Sequence, residues 1–425
     1  MRISERLAQA DHLTRKHLRL SLPALIFWVV YCLLLVIHCV ENTSLIYEDL
    51  PWMKGMYLLR NVLYLVLLVK AGFLTLYRPR ELWCILGVLV SAVLCVIFSG
   101  DFTLMEFAII AIAAKEIAPR QLVKVFAIIK AAAMVLTLLL CFTHILPTIY
   151  YENTNDFNNT FGFCHRNVLG ANMYVLCLSW FYLRYEKLTK WDYLLWGVLS
   201  IATYLLADSR TTLLMMVMII GGFFLLRWKQ TLVMDWPHLR KALLGFLLGL
   251  FLISLICTVF YKRWNDFWEF VDKIFTKRLR FAHQCLDQYG LSLFGTKIDF
   301  VSTLQAQNET DATRLILDNA YMRAFLYDGI IPCVLFLVFY LRSFILALQK
   351  KHPALMAGLL FMAICGFSER FMLDAHYNFP LLIACISLFC RDRNTEQLPF
   401  EYAATVIDQI KVWFRTNYPR DPEDP

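Results

Sequence analysis

The chain has 425 residues, of which 59% are hydrophobic and 15% aromatic, while only 17% are charged. A soluble domain carries about a quarter charged residues, so this composition excludes an ordinary soluble protein. The formal charge of +8 is spread over short basic segments between apolar blocks, which points to membrane topology rather than to nucleic-acid binding.

A hydrocarbon layer about 30 Å thick is crossed by roughly 20 apolar residues of helix. About twelve stretches fit: 21–40, 56–76, 82–99, 103–117, 122–145, 167–184, 192–207, 211–227, 241–261, 321–341, 354–371 and 377–391. The expected fold class is therefore all-α, a polytopic membrane helical bundle. Residues 1–20 are too long and polar for the start of a cleaved signal peptide. The first span is expected to stay as an anchor, and segment 1–20 as a cytoplasmic N-terminus.

Basic residues orient the spans. Arg15, Lys16 and Arg19, then Arg78 and Arg80, Lys115 and Arg120, Lys187 and Lys190, Arg240 and Lys241, Lys350 and Lys351, and Arg391 and Arg393 all fall on alternate connections. The other connections are poor in Lys and Arg. Both termini are thus expected in the cytoplasm. The first nine spans (21–261) precede a large extracytoplasmic loop at 262–320, the last three (321–391) follow it, and an amphipathic cytoplasmic tail closes the chain at 392–425.

The large loop is basic, but a loop of this length crosses the membrane largely regardless of charge. Trp264, Phe267, Trp268, Val271, Ile274 and Phe275 recur there at helical spacing, which predicts an amphipathic interfacial helix. Gly245 and Gly249 form a GxxxG in the ninth span, expected to mark close helix packing. Lys70 and Lys130 are expected to snorkel or to shift the span limits, and Arg60 to face an internal cavity. Most cysteines lie in apolar blocks and act as small hydrophobes. Cys164 and Cys285 fall in polar loops, where a disulfide between them would be feasible, and no spacing suggests a metal. Asn-x-Ser/Thr triplets occur at Asn42, Asn158 and Asn308, all in outer connections.

The outer connections hold a recurrent arrangement. "ADSRTT" carries Arg210, "TKRLRFAH" carries Arg278 and Arg280, "LDNAYMR" carries Asp318, Asn319 and Arg323, "SERFMLDAHYN" carries Glu369, Arg370 and His376, and "FCHRN" carries His165, Arg166 and Asn167. Any one of these taken alone reads as solvated loop charge. As a set, arginines beside polar or acidic partners suit a lipid diphosphate, because a guanidinium is a permanent, bidentate fork for phosphate oxygens.

Four of these segments, in order, resemble the O-antigen ligase/polymerase family of bacterial envelopes (Wzy- and WaaL-type proteins). They are "FGFCHRNVLGANM", "DSRTTLL", "KRLRFAHQCLDQYGLSLFGT" and "DNAYMRAFLYDGII", within a resemblance running from about 155 to 390. The resemblance implies a GT-C-like bundle in the bacterial cytoplasmic membrane. It implies a glycosyltransferase that uses an undecaprenyl-diphosphate-linked glycan, with no cofactor, no metal and no nucleic acid. A flippase and a chain-length regulator are the implied protein partners. Ligases of the family carry His at the position of Asp318, so Asp318 favours a polymerase for O-antigen, capsule or exopolysaccharide. A ligase is the alternative, and a transporter or flippase a more distant one.

Two chemical tasks assign roles. Charge building on the leaving diphosphate needs preorganised cations, for which Arg210, Arg278 or Arg280, and Arg370 stand ready. The acceptor hydroxyl needs a base: Asp318 matches the family motif, with Asn319 beside it, and Glu369 and His376 are alternatives. Arg323 is expected to hold Asp318 ionised or to bind phosphate. His165, Arg166 and Asn167 complete the glycan-binding set. Asp328 is expected to meet a partner on a neighbouring helix.

Overall fold

The computed structural model describes residues 21–389 except 49, 76, 78, 116, 150–159, 208, 263–264, 275–277 and 302–314. The arginines of segment 1–20, the triplets at Asn158 and Asn308, Lys277 and the amphipathic tail at 392–425 lie outside the described residues.

Helices occupy all twelve predicted stretches. They are α1 (Leu22–Glu41), α2 (Pro51–Leu74), α3 (Pro79–Ser99), α4 (Thr103–Ala113), α5 (Pro119–Phe142), α6 (Arg166–Arg184), α7 (Lys190–Ala207), α8 (Arg210–Trp228), the short α9 (Gln230–Asp235), α10 (Pro237–Phe260), α11 (Asp266–Ile274), α12 (Arg278–Tyr289), the single turn α13 (Ala320–Met322), α14 (Ile330–Gln349), α15 (Pro353–Gly366) and α16 (Phe379–Phe389). Seven of them, α1, α2, α3, α5, α8, α10 and α14, are long and apolar enough to cross a membrane. The chain thus has the build of a multi-pass helical membrane protein.

Helix starts follow sequence chemistry. Proline stands in the first turn of α1, α2, α5, α10 and α15, where its missing N–H has no intrahelical partner to lose. Ser21 caps α1 by accepting from the Ala24 N–H. The central helices are apolar all round: fourteen residues of α6 and eleven of α15 are buried, as a helix enclosed by others must be. Leu58, Leu65, Ile97, Ile128, Leu205 and Val338 instead turn outward from the peripheral helices, which suits a lipid surround.

Three expectations need correction. The stretch 321–341 is not one helix: α13 gives way to a π-helical turn at Arg323–Tyr327, Asp328 is buried, and Gly329 (φ 101°) restarts the chain as α14. The broken backbone is satisfied inside the protein, where Ile330 and Ile331 donate to Ser292 and Leu293, and Thr296 donates to the Tyr327 carbonyl. Irregular backbone at membrane depth survives only under such cover.

Lys70 and Lys130 do not snorkel. Both are buried; Lys70 Nζ donates to the Ala113 carbonyl at 2.6 Å, while Lys130 donates to Asn172 at 3.3 Å and sits 4.1 Å over the Tyr377 ring. Gly245 and Gly249 have no neighbour within 4 Å of a notional Cβ; α10 instead buries Leu247, Ser254 and Thr258, so the GxxxG is not a packing seam among the described residues. Cys164 and Cys285 are both free, and Cys285 is buried within α12.

Among the described residues of the large loop, two helices form, α11 over the predicted amphipathic stretch and α12 after it. Phe267 and Phe270 of α11 are exposed, while Trp268 packs edge-on against Tyr261.

Candidate functional site

Three of the predicted segments converge at one end of the bundle, the face the sequence assigns to the outside. Arg278 opens α12, Asp318 precedes α13, and Glu369 follows α15. Arg278 donates to Glu369 Oε1 at 2.6 Å, and its Nε lies 3.8 Å from Asp318 Oδ2. Of the two loop arginines, Arg278 is the one that meets these two carboxylates. Arg280 sits two residues on and ties its backbone N–H to Asp272 at 3.1 Å.

Burial differs across this triad. The Arg278 and Glu369 side chains are 13% and 12% exposed, against 28% for Asp318. Burial pushes the Glu369 carboxyl up to about 7; Arg278 opposes this and the charge of Asp318 adds to it. Glu369 thus changes charge near neutral pH. Asp318 is the member of the triad most open to a ligand.

Asn319 is committed to structure. Its Oδ1 accepts from the Met322 N–H at 3.0 Å, capping α13, and its Nδ2 donates to Ser254 at 3.1 Å and to the Phe367 carbonyl at 2.9 Å. It ties α10, α13 and the 367–369 loop together, and so fixes Asp318 beside Arg278.

Arg323 faces away from Asp318, contrary to expectation. It donates to Asp101 Oδ2 at 2.8 Å and its guanidinium lies 4.7 Å from the Tyr327 ring centre and 5.3 Å from that of Phe300. Asp101 is held below the ordinary carboxylate range, since Arg323 and the Thr103 hydrogen bonds outweigh its burial. Asp328 completes this group. It is buried and accepts from the Cys95 thiol of α3 at 3.8 Å, the neighbouring-helix partner expected for it.

The remaining predicted residues are spread around the same face. Arg210 and Arg370 are exposed, and Arg370 acts electrostatically on both Glu369 and Cys164. His165 caps α6, accepting from the Asn167 N–H at 3.1 Å, with Arg166 as the first residue of that helix. The loop before α6 is stitched to the end of α1: Ser44 donates to Gly162, Cys164 donates to Asn42, and Tyr47 donates to the Cys164 carbonyl. Gly170 of α6 lies against Thr212 of α8, so the "NVLGANM" and "DSRTT" segments touch.

No protein-family model, no curated protein and no solved structure matches the chain. The site is therefore described by its own geometry.

His376 belongs to a second cluster, on the far side of the 3-10 turn Arg370–Leu373. Its Nδ1 lies 3.0 Å from Asp374 Oδ1, its ring stacks on His38 at 4.3 Å between centroids, and His38 Nε2 lies 3.8 Å from Asp374 Oδ2. Two imidazoles hold the Asp374 carboxyl far below the ordinary range. Arg60 stands nearby, 2.8 Å from Glu41 and 4.0 Å from Glu106. His38, Glu41 and Glu106 were not singled out from the sequence. The available signal was an ionisable group within or at the end of an apolar span.

Proposed function

We propose that the protein is a polymerase of lipid-linked oligosaccharide repeat units, acting at the outer face of a bacterial cytoplasmic membrane on an undecaprenyl-diphosphate donor. The observation that supports this most is the meeting of Arg278, Asp318 and Glu369 from three separate segments at one end of the bundle. In this reading the twelve helices all span, in a GT-C-like bundle with both termini in the cytoplasm and 262–320 outside.

Asp318 takes the proton of the acceptor hydroxyl as its oxygen bonds to the anomeric carbon. The bond from that carbon to the bridging oxygen breaks, and the diphosphate leaves with the electron pair. Arg370 and Arg210, both exposed, are the cations open to the diphosphate. Arg278, engaged by two carboxylates, orients Asp318 and Glu369. Direct displacement inverts the anomeric centre.

The test is reconstitution in liposomes with a lipid-diphosphate oligosaccharide. Polymer should form with wild type and be lost in Asp318→Asn and Arg278→Gln at unchanged expression. Glycan crossing the bilayer with no new glycosidic bond would sink the proposal. Transfer of finished glycan to a different acceptor lipid, without polymer, would replace it with a ligase.

A further inference from the structure

The second cluster has no part in the proposed chemistry. We propose that His38, Asp374 and His376 form a binding site for a divalent transition ion of the zinc type. Their ligand atoms all lie within 4.8 Å of one another. Two ligands on a tetrahedral ion, each about 2.1 Å from it, stand roughly 3.4 Å apart. His376 Nδ1 lies 3.0 Å from Asp374 Oδ1 and His38 Nε2 lies 3.8 Å from Asp374 Oδ2, one on either side of that value, so each oxygen of the carboxylate has an imidazole at about ligand spacing. Two imidazoles and one carboxylate are a donor set such ions prefer.

The protonation pattern points the same way. Asp374 accepts from the His376 backbone N–H at 2.7 Å, which fixes its carboxylate beside the ring. With Nδ1–H donating to that carboxylate, His376 Nε2 is left a bare acceptor. It is buried and has no hydrogen-bond partner, and the nearby groups in electrostatic reach of the ring include the carboxylates of Glu41 and Glu106. An ion on Nδ1 moves the proton to Nε2, which becomes a donor within electrostatic reach of those carboxylates; ligating histidines usually donate through the other ring nitrogen. The charged groups around the cluster include three carboxylates, Glu41, Glu106 and Asp374, against two cations, Arg60 and Lys130. A diphosphate is disfavoured there and a cation favoured.

Binding requires one rearrangement. Asn42 Nδ2 now donates to His38 Nε2 at 2.8 Å, and the two rings lie 9° from parallel. The ion displaces the Asn42 amide and turns the His38 ring out of the stack.

The experiment uses the full chain, purified in detergent without a polyhistidine tag and stripped with chelator. Zn2+ and Co2+ are titrated by calorimetry and Co2+ absorption, and the zinc-loaded protein is examined by X-ray absorption. One ion per chain is expected, with imidazole nitrogen and no sulfur in its shell. Affinity should drop by about tenfold or more in His38→Gln and in His376→Gln, and rise in Asn42→Ala. No stoichiometric uptake, sulfur ligation, or unchanged affinity in either histidine variant overturns the proposal. If a variant does not elute as a folded species, the wild-type X-ray absorption decides. None of these readouts depends on glycosyl transfer.

Discussion

Arg323 and Asp101 form a buried ion pair at 2.8 Å that joins the break before α14 to the connection between α3 and α4. The pair is 12% and 9% exposed, so removing one partner strands a charge. Breaking such a pair costs about 3–5 kcal/mol, whereas replacing both members is often far milder. Arg323→Met should therefore lower the thermal midpoint in detergent sharply. The double variant Arg323→Met/Asp101→Asn should regain most of the loss. A double variant as unstable as the single one would show that stacking on Tyr327 and Phe300 matters more than the charge.

The Glu369 carboxyl sits near 7, above its ordinary value. The folded state consequently binds this proton more tightly than the unfolded chain does. The sign follows: its contribution to stability is full below the ordinary carboxyl value and is lost as pH rises toward about 7. Between pH 5 and 8 the wild-type midpoint should drop more than that of Glu369→Gln. Transfer activity should rise through about pH 7, as the carboxylate that grips Arg278 forms, and this limb should be absent in Glu369→Gln. Equal slopes in both proteins would show that another group titrates in that window.

Much of the architecture was legible because apolar block length is a strong signal. All twelve stretches are helical, and the charge-bearing connections do gather Arg278, Asp318 and Glu369. What failed was pairing. Arg323 lies on the same short segment as Asp318, yet its partner is Asp101, some 222 residues away, and no local spacing reveals that. The break at Asp328 was hidden for a related reason: one glycine in the left-handed region ends a helix that composition alone would continue. Lys130 read as a snorkelling residue or a shifted span limit because its acceptor, Asn172, and its ring, Tyr377, come from distant parts of the chain.

The contact between α6 and α8 gives a test of how two predicted segments dock. A Cβ on Gly170 would collide with the Thr212 hydroxyl oxygen and lie 3.0 Å from Thr212 Cβ and 3.2 Å from its Cγ2. Gly170→Ala should destabilise by about 1–3 kcal/mol through overpacking. Gly170→Ala/Thr212→Gly removes the obstruction and should recover part of that in a thermal-melt comparison. Independent, additive losses would mean that the helices do not meet at this point.

Gly329 makes the sharpest structural prediction, because its conformation and its surroundings both exclude a side chain. Its φ is 101°, and an added Cβ would strike the Gly295 nitrogen and stand 2.6 Å from the Phe294 carbonyl carbon and 2.8 Å from the Leu293 oxygen. All three are backbone atoms, so none can swing aside as a flexible side chain would. The same few residues carry the hydrogen bonds from Thr296, Ile330 and Ile331 that satisfy the broken chain, and unsatisfied groups at membrane depth are costly. Gly329→Ala should therefore lose about 2 kcal/mol or more, measured as a lower thermal midpoint and faster proteolysis within 290–330. A matching substitution at Gly249 of α10, which meets nothing within 4 Å, should leave both measurements almost unchanged. If Gly329→Ala behaves like the Gly249 control, the chain does not turn here as described, and Asp328 is not buried beneath it.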